Sequence, residues 1–351
     1  MVGKEYLESV HTAIATPNIA LIKYWGKRDE KLILPMNSSI SITLGEEFNT
    51  KTSIMFTDKA KEDKFYINGE MQDLSNKDIK ERFNVIDIMR KIANTNARVV
   101  VASENSFPTA AGLASSASGI AAMVFAANEA LGLSLDTKEM SIIARQGSGS
   151  SCRSLAGGFV KWERGNEEDG SDSYVRQIAP ASYWEDIVDI VAIASSSKKK
   201  VSSRAGMKQT KENGILYAAR PEYAEKACQE IEAAIKEKDF EKLALITMRD
   251  SNNLHAVMLD TYPPITYLND TSREIMAAIT ELNSQQGKTV AAYTFDAGPN
   301  ANIITLKKYK GTVEGLLDSI DGIAEIRATK IGNGPRVLDG SDSLIDKIES
   351  K

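Results

Sequence analysis

Hydrophobic and polar positions change their period several times along the chain. Ser39-Ile-Ser-Ile-Thr-Leu44 alternates at period two, the signature of a half-buried strand. The stretch around it, residues 11 to about 54, reads as strands broken by Pro17, Gly26, Pro35 and Gly45. From Asn76 to Asn94 the spacing turns helical, with Ile79, Phe83, Ile86 and Met89 on one face. Arg98-Val-Val-Val-Ala102 is a short apolar strand, followed by a loop over 105–112 and an Ala-rich helix over about 114–130 that Gly132 stops. A further helix is predicted over 135–145, a strand over 159–162 after Gly157-Gly158, and an acidic, solvated loop over 165–173.

Residues 186–194 form a strongly apolar strand, after which the texture becomes more helical. The division is therefore expected near this strand, giving domains 1–190 and 191–351. Helices are predicted over about 221–237, 239–259 (ending before Pro263-Pro264) and 271–287, and strands over 290–295 and 301–306. Strands and helices mix without a regular βαβ repeat, so the expected class is α+β rather than a doubly wound sheet.

Composition narrows the function classes. The 351 residues are 42% hydrophobic and 26% charged, ordinary for a globular protein able to bury a core without metals or disulfides. No apolar run approaches the roughly 18 residues of a membrane helix, and the N-terminus lacks the pattern of a signal peptide. The two cysteines, Cys152 and Cys228, have no metal-ligand spacing and fit a reducing cytoplasm. With 43 Lys and Arg against 48 Asp and Glu, the formal charge of −5 argues against a nucleic-acid binder, so a phosphate site must be a local arrangement. The run Lys198-Lys-Lys200 reads as a solvated loop. His11 and His255 are the two histidines, too few for a His-based metal centre or a Ser-His-Asp triad, and His255 reads as a packed helix residue. Proton chemistry is expected from a carboxylate or a lysine.

Several motifs carry chemistry. In Pro108-Thr-Ala-Ala-Gly-Leu-Ala-Ser-Ser-Ala117, small residues let backbone N–H groups converge on an anion at the start of a helix, and Ser115 and Ser116 add hydroxyls for a phosphate or its magnesium ion. It is not a Walker A motif: Gly287-Lys288-Thr289 has Leu282 where the first glycine belongs. Gly147-Ser-Gly149-Ser-Ser-Cys152 likewise fails as a dinucleotide fingerprint. On its own terms, Gln146-Gly-Ser-Gly-Ser-Ser-Cys-Arg153 offers the hydroxyls of Ser148 and Ser150 and a planar guanidinium suited to a carboxylate or phosphate. Lys23-Tyr-Trp-Gly-Lys27 sets two lysines around an aromatic pair, and Val201-Ser-Ser-Arg-Ala-Gly-Met207 repeats the hydroxyl-plus-arginine theme. Phe295-Asp-Ala-Gly-Pro-Asn300 ends a strand on one carboxylate before a tight turn, where Asp296 is either a turn cap or an aimed base.

Read in order, these segments, with Asn18-Ile-Ala-Leu-Ile before Lys23, Leu34-Pro-Met-Asn-Ser-Ser39 and residues 250–271, resemble the diphosphomevalonate decarboxylase family within the GHMP superfamily of small-molecule kinases. Only about the last forty residues lie outside the match. The resemblance implies a two-domain GHMP-kinase-like fold of mixed and antiparallel sheets packed with helices. It also implies ATP- and magnesium-dependent phosphorylation of the 3-hydroxyl of mevalonate 5-diphosphate, then loss of phosphate and CO₂ to give isopentenyl diphosphate. Alternatives are an ATP-independent decarboxylase of the 3,5-bisphosphate, an ATP-dependent one of the 5-phosphate, and a non-catalytic sensor.

By the same resemblance Asp296, Lys23 and Arg153 are the catalytic residues. Tyr24, Lys27, Ser148, Gly149, Ser150, Ser203, Arg204 and Met207 meet the substrate, and Pro108, Ala111, Gly112, Leu113, Ser115 and Ser116 form the phosphate loop, Ser115 or Ser116 reaching the metal through phosphate. A cytoplasmic homodimer without nucleic-acid or membrane partners is implied. The chain departs from the family where a Thr/Ser pair usually follows Gly206-Met207: it carries Lys211-Glu-Asn-Gly214 instead.

Overall fold

A computed structural model of the chain describes residues 6–107, 115–194, 201–339 and 342–349. The phosphate-loop residues Pro108, Ala111, Gly112 and Leu113 and the lysine run 198–200 lie outside the described residues. Three sheets organise the rest. In the first, β1 (Val10–Ala15), β6 (Thr50–Thr57) and β9 (Arg98–Asn105) are antiparallel neighbours. The hairpin of β7 (Lys64–Ile67) and β8 (Glu70–Met71) extends it, β7 running parallel to β9. The second sheet runs in the order β11 (Val175–Ala179), β10 (Phe159–Trp162), β5 (Ser39–Thr43), β2 (Asn18–Ile22), all antiparallel. Between β2 and β5 lies a small ribbon of β3 (Lys27–Asp29) and β4 (Leu34–Pro35).

Helices α1 (Lys77–Ala93), α2 (Ser115–Ala130) and α3 (Thr137–Arg145) cover the first sheet and share with it a core that includes Phe56, Val101, Ile86, Met123 and Ile143. The polar residues at the ends of α1 are its limits. The Asn76 side chain accepts from the Asp78 and Ile79 amides, and Asn94 takes the left-handed conformation at φ 49° as C-cap. Asp136 and Glu139 close α3 with a reciprocal capping box, so this helix starts two residues after the predicted Leu135.

The third sheet has the order β13 (Ala291–Phe295), β14 (Ala301–Leu306), β12 (Ile187–Ala194), β15 (Ile323–Lys330). One of its faces packs with α7 (Asp270–Gln285) and α8 (Lys310–Asp318). The other shares a core with the second sheet through α5 (Arg220–Glu237) and α6 (Phe240–Leu259), where Ile22, Ile42, Phe159, Ile231, Leu243, Val191 and Ile304 meet. A shorter helix, α4 (Ser203–Asn213), starts from the Ser202 cap. The chain then returns: β16 (Arg336–Leu338) pairs with β1 at the edge of the first sheet, and α9 (Leu344–Glu349) places Leu344 and Ile345 against Val100 and Ala102. No motif marked this last stretch. Among the described residues, no helix is long and apolar enough to cross a membrane.

Three backbone segments join at the seam between the second and third sheets. The Thr43 amide donates to Gly158 at 3.0 Å, Gly158 to Gly332 at 2.9 Å, and Gly332 back to Thr43 at 2.8 Å. A Cβ on Gly332 would lie 1.9 Å from the Leu44 carbonyl oxygen, so backbone could not approach backbone there with any side chain present. Gly332→Ala is expected to cost about 1–3 kcal/mol by this overpacking, read as a lower midpoint of denaturant unfolding at unchanged slope.

Candidate active site

Lys23 follows directly on β2 and Asp296 directly on β13, and the two strands aim them at one another across α6. The Lys23 ammonium donates to Asp296 at 2.6 Å; the lysine is buried, whereas the carboxylate is 40% exposed. The lysine backbone is clamped as firmly as its side chain. Its amide donates to Asp250 Oδ2 on α6 at 2.7 Å, and its carbonyl accepts from Asn37 at 3.0 Å and from Arg220 Nη2 at 3.3 Å.

Arg220 and Asp250 are themselves a fully buried ion pair. Nη2 donates to Oδ2 at 3.2 Å, while Nη1 lies 3.1 Å from Oδ1 but directs its hydrogen bond to Asn253 at 2.5 Å. Burying two charges costs several kcal/mol of desolvation, and here the pair, bonded further to Lys23 and Asn253, sets where the lysine backbone stands.

Arg153 projects from the short 3-10 turn Gly149–Leu155. It is buried, with Nε donating to Asn18 at 2.9 Å and Nη1 to Ser39 at 2.7 Å, and Asn18 in turn donates to Ser154 at 2.8 Å. Burial lowers its proton affinity while the field of Asp296 raises it, and a guanidinium stays charged under such opposing terms. Its plane is thus fixed by strands β2 and β5 beside the Lys23–Asp296 pair.

Tyr24 packs on Trp162 with ring centroids 4.8 Å apart and against Gly149, where an added Cβ would fall 2.7 Å from the ring. Its phenol oxygen is buried without a hydrogen-bond partner among the described residues, and burial, then the Glu30 carboxylate, push its pKa far above the usual range. Gly26, at φ +97°, is needed for a similar reason: a Cβ would lie 1.8 Å from the Tyr217 hydroxyl, which donates to the Trp25 carbonyl at 2.8 Å.

Arg204 at the start of α4 pairs with Glu81 of α1 and donates to the Gly147 carbonyl at 2.8 Å, docking α4 onto the Ser148–Ser150 turn. Met207 packs against the clusters holding Tyr24 and Trp25. Ser148, Ser150 and Ser203 are half-buried around this junction. Lys27 is turned toward Glu30 at 2.5 Å, and Lys211, in the stretch that departs from the resemblance, donates to the Lys27 carbonyl at 2.7 Å. Ser116 is half-buried in the first turn of α2.

The structure therefore brings Lys23, Asp296, Arg153, Tyr24, Gly149 and the α4 start into one region. The residues that hold them there, Asn18, Ser39, Asn37, Arg220, Asp250 and Asn253, carried no individual signal, since isolated polar residues within apolar runs read alike whether they cap, pair or catalyse. His255, expected as a packed helix residue, is half-buried and edge-on to Phe295 at 6.3 Å.

The comparisons with known proteins agree along the chain. A model of the diphosphomevalonate decarboxylase-like N-terminal domain matches residues 15–175, and one of the mevalonate 5-diphosphate decarboxylase C-terminal domain matches residues 189–333. The chain belongs to the diphosphomevalonate decarboxylase family. A family member from Schizosaccharomyces pombe, a diphosphomevalonate decarboxylase, is 42% identical over 379 residues, with 95% of each chain covered. The crystal structure of mevalonate diphosphate decarboxylase from Staphylococcus aureus superposes with a TM-score of 0.87 at 38% identity, covering 94% of this chain and 98% of that one. A structure of MDDEF in complex with MVAPP, AMPPCP and magnesium gives 0.85 at 38% identity, covering 94% and 99%. As the family's fold requires, the chain is α+β with mixed and antiparallel sheets.

Two outcomes follow for this decarboxylase-family site. Asp250→Asn removes the charge that answers Arg220, and is expected to cost about 3–5 kcal/mol in denaturant unfolding and to lower kcat more than it raises KM, because Lys23 loses its anchor. His255 has its pKa lowered from 6.5 to about 4, first by burial and then by the Lys23 charge. The unfolded chain therefore binds the extra proton between pH 6.5 and about 4, and stability falls by up to about 3 kcal/mol as the pH drops through that window. His255→Gln, if it packs equally well, should remove this acid-side loss in thermal unfolding followed against pH.

Proposed function

We propose that this chain converts mevalonate 5-diphosphate to isopentenyl diphosphate, CO₂, ADP and phosphate. The observation that carries the reading is the 2.6 Å Lys23–Asp296 contact beside buried Arg153, in a chain of this family over nearly its whole length. MVAPP, AMPPCP and magnesium together in the MDDEF complex support mevalonate diphosphate, ATP and magnesium as the set bound here.

The residues present suit a nucleoside triphosphate. Helix α2 follows the small-residue loop directly and has no acidic residue in its first turn, so its amides and dipole favour an anion. Ser115 or Ser116 would reach the magnesium ion through the phosphates. ATP with its magnesium supplies the phosphoryl group that makes the tertiary 3-oxygen a leaving group.

The chain's own residues then have distinct tasks. Asp296 orients the 3-hydroxyl and takes its proton at a carboxylate oxygen. Lys23 holds that carboxylate in place and balances negative charge on the 3-oxygen. Arg153, its plane already fixed by Asn18 and Ser39, holds the substrate carboxylate so that the C–C bond is aligned with the departing group as CO₂ leaves. Ser148, Ser150, Ser203 and Arg204, gathered where α4 docks, take the 5-phosphates, with Tyr24, Gly149 and Met207 as the packed wall and Lys27 at the rim.

The proposed division near residue 190 falls within β12 (Ile187–Ala194), which belongs whole to the third sheet, so the cut sits better just before Ile187, and β16 and α9 return from the second unit to the first sheet. We further propose a cytoplasmic homodimer; both cysteines are buried and free, in keeping with a reducing compartment.

Incubation with mevalonate 5-diphosphate, ATP and magnesium should release ADP and CO₂ one-to-one, and omission of ATP should stop both. CO₂ from the 3,5-bisphosphate without nucleotide would overturn the reading. Asp296→Asn should lower kcat by about a thousandfold or more while the chain still unfolds in one cooperative transition, with a midpoint lowered by the loss of the charge that answers buried Lys23.

A further inference from the structure

Asp189 stands in the middle of β12, opposite Ile304 of β14 on one side and Thr329 of β15 on the other. It interrupts a strand that otherwise reads Ile-Val-Asp-Ile-Val-Ala-Ile-Ala, is 1% exposed, and neither carboxyl oxygen has a hydrogen-bond partner among the described residues. A lone ionised carboxylate in such a place costs several kcal/mol, so a buried one either finds a cation or keeps its proton.

Strand register shows where it points. Ile187, Asp189 and Val191 share one face of β12, and across the ladder that face continues through Ile304 and Asn302, then Ala292 and Thr294. The next position in the alternation of β13 is Asp296. This is the face that packs with α6, whose buried Thr247 sits one turn before Ser251, the acceptor of the Phe295 amide. Asp189, Thr294, Asn302 and Thr247 each have a buried oxygen without a partner among the described residues.

The charges around it are few. Burial is the largest influence and raises its pKa well above the usual carboxylate value, the Lys23 ammonium at the end of β2 lowers it, and the Asp296 carboxylate at the end of β13 raises it. Asp250 on α6 is matched by Arg220, and Arg327 on β15 by Glu325. The side chains from β14 and β13 on this face, Asn302 and Thr294, are neutral.

We infer that Asp189 is a positioning residue of the reaction centre: a carboxylic acid kept un-ionised behind the Lys23–Asp296 pair, so that Lys23 answers one carboxylate and not two. Ionised, Asp189 would compete with Asp296 for the Lys23 ammonium and draw it out of line, slowing any step that needs the lysine and that carboxylate held together. The inference deepens the reading of Lys23 and Asp296 given above and rests on it for the rate effect, though not for the protonation state.

The test therefore has two arms. In the infrared difference between wild type and Asp189→Asn at neutral pH, the carbonyl stretch of a protonated carboxylic acid is expected in the wild type and missing in the variant. Its absence overturns the inference whatever substrate the enzyme turns over. In the second arm kcat/KM is followed toward alkaline pH: the ratio of Asp189→Asn to wild type is expected to rise, by up to about tenfold per pH unit once Asp189 ionises. A ratio flat across the range makes Asp189 a packing residue and overturns the inference.

Stability gives the sign independently. A folded-state proton affinity above the unfolded one contributes fully below the unfolded carboxylate range and is lost as pH rises, so the variant should gain on the wild type with increasing pH. Asp189→Val, which removes the acid with no polar atom left behind, should show the same two trends if the Asn variant folds poorly.

Discussion

Lys23 and Asp296 are 273 residues apart in the chain and 2.6 Å apart in space. One stands at the end of a strand in the second sheet, the other at the end of a strand in the third, and the contact exists only while both sheets stay seated against α5 and α6. Most of the buried polar framework nearby serves that distance. The Arg220–Asp250 pair fixes the lysine backbone from the helices, Asn37 fixes it from the loop before β5, and the Thr43–Gly158–Gly332 ring ties the sheets at the far side. A buried ion pair is weak evidence for stability, but orientation is a different matter. A lysine with four rotatable bonds holds a carboxylate in place only if its own main chain cannot move.

The rest of the site repeats this pattern of support by neighbours that do no chemistry. Arg153 donates two hydrogen bonds to its own scaffold before any substrate is considered, and Tyr24 is pinned between Trp162 and a glycine that must lack a side chain. Fixing these groups in advance reduces the ordering that binding and reaction must otherwise impose.

Much of the fold was legible along the chain where a single element carried its own signal. Asn76 and Asn94 bracket α1 because an amide side chain can cap one end and tolerate the left-handed turn at the other. Strands 159–162, after the Gly157-Gly158 turn, and 301–306 stand where they are expected. What stayed hidden depends on partners distant in sequence. β7 and β8 form a short hairpin at a sheet edge, and β15 is half-buried, with no clean alternation to betray it. Within the site, Lys23, Arg153 and Asp296 stood out because their neighbours form motifs. Arg220 and Asp189 did not, and Asp250 marked only the start of the matching stretch 250–271 with no role of its own, since a polar residue in an apolar helix or strand acquires meaning only from what folds against it.

The antiparallel pairing of β16 with β1 joins positions such as Thr12 and Leu338. During synthesis the first sheet thus has an open edge until nearly the whole chain has emerged, and an uncovered strand edge is a template for wrong partners. The first unit can bury its helices early, but its β1 edge stays available to other chains for the time needed to make the second. A protein built this way depends on the speed at which its tail arrives, a demand on the cell rather than on the active site.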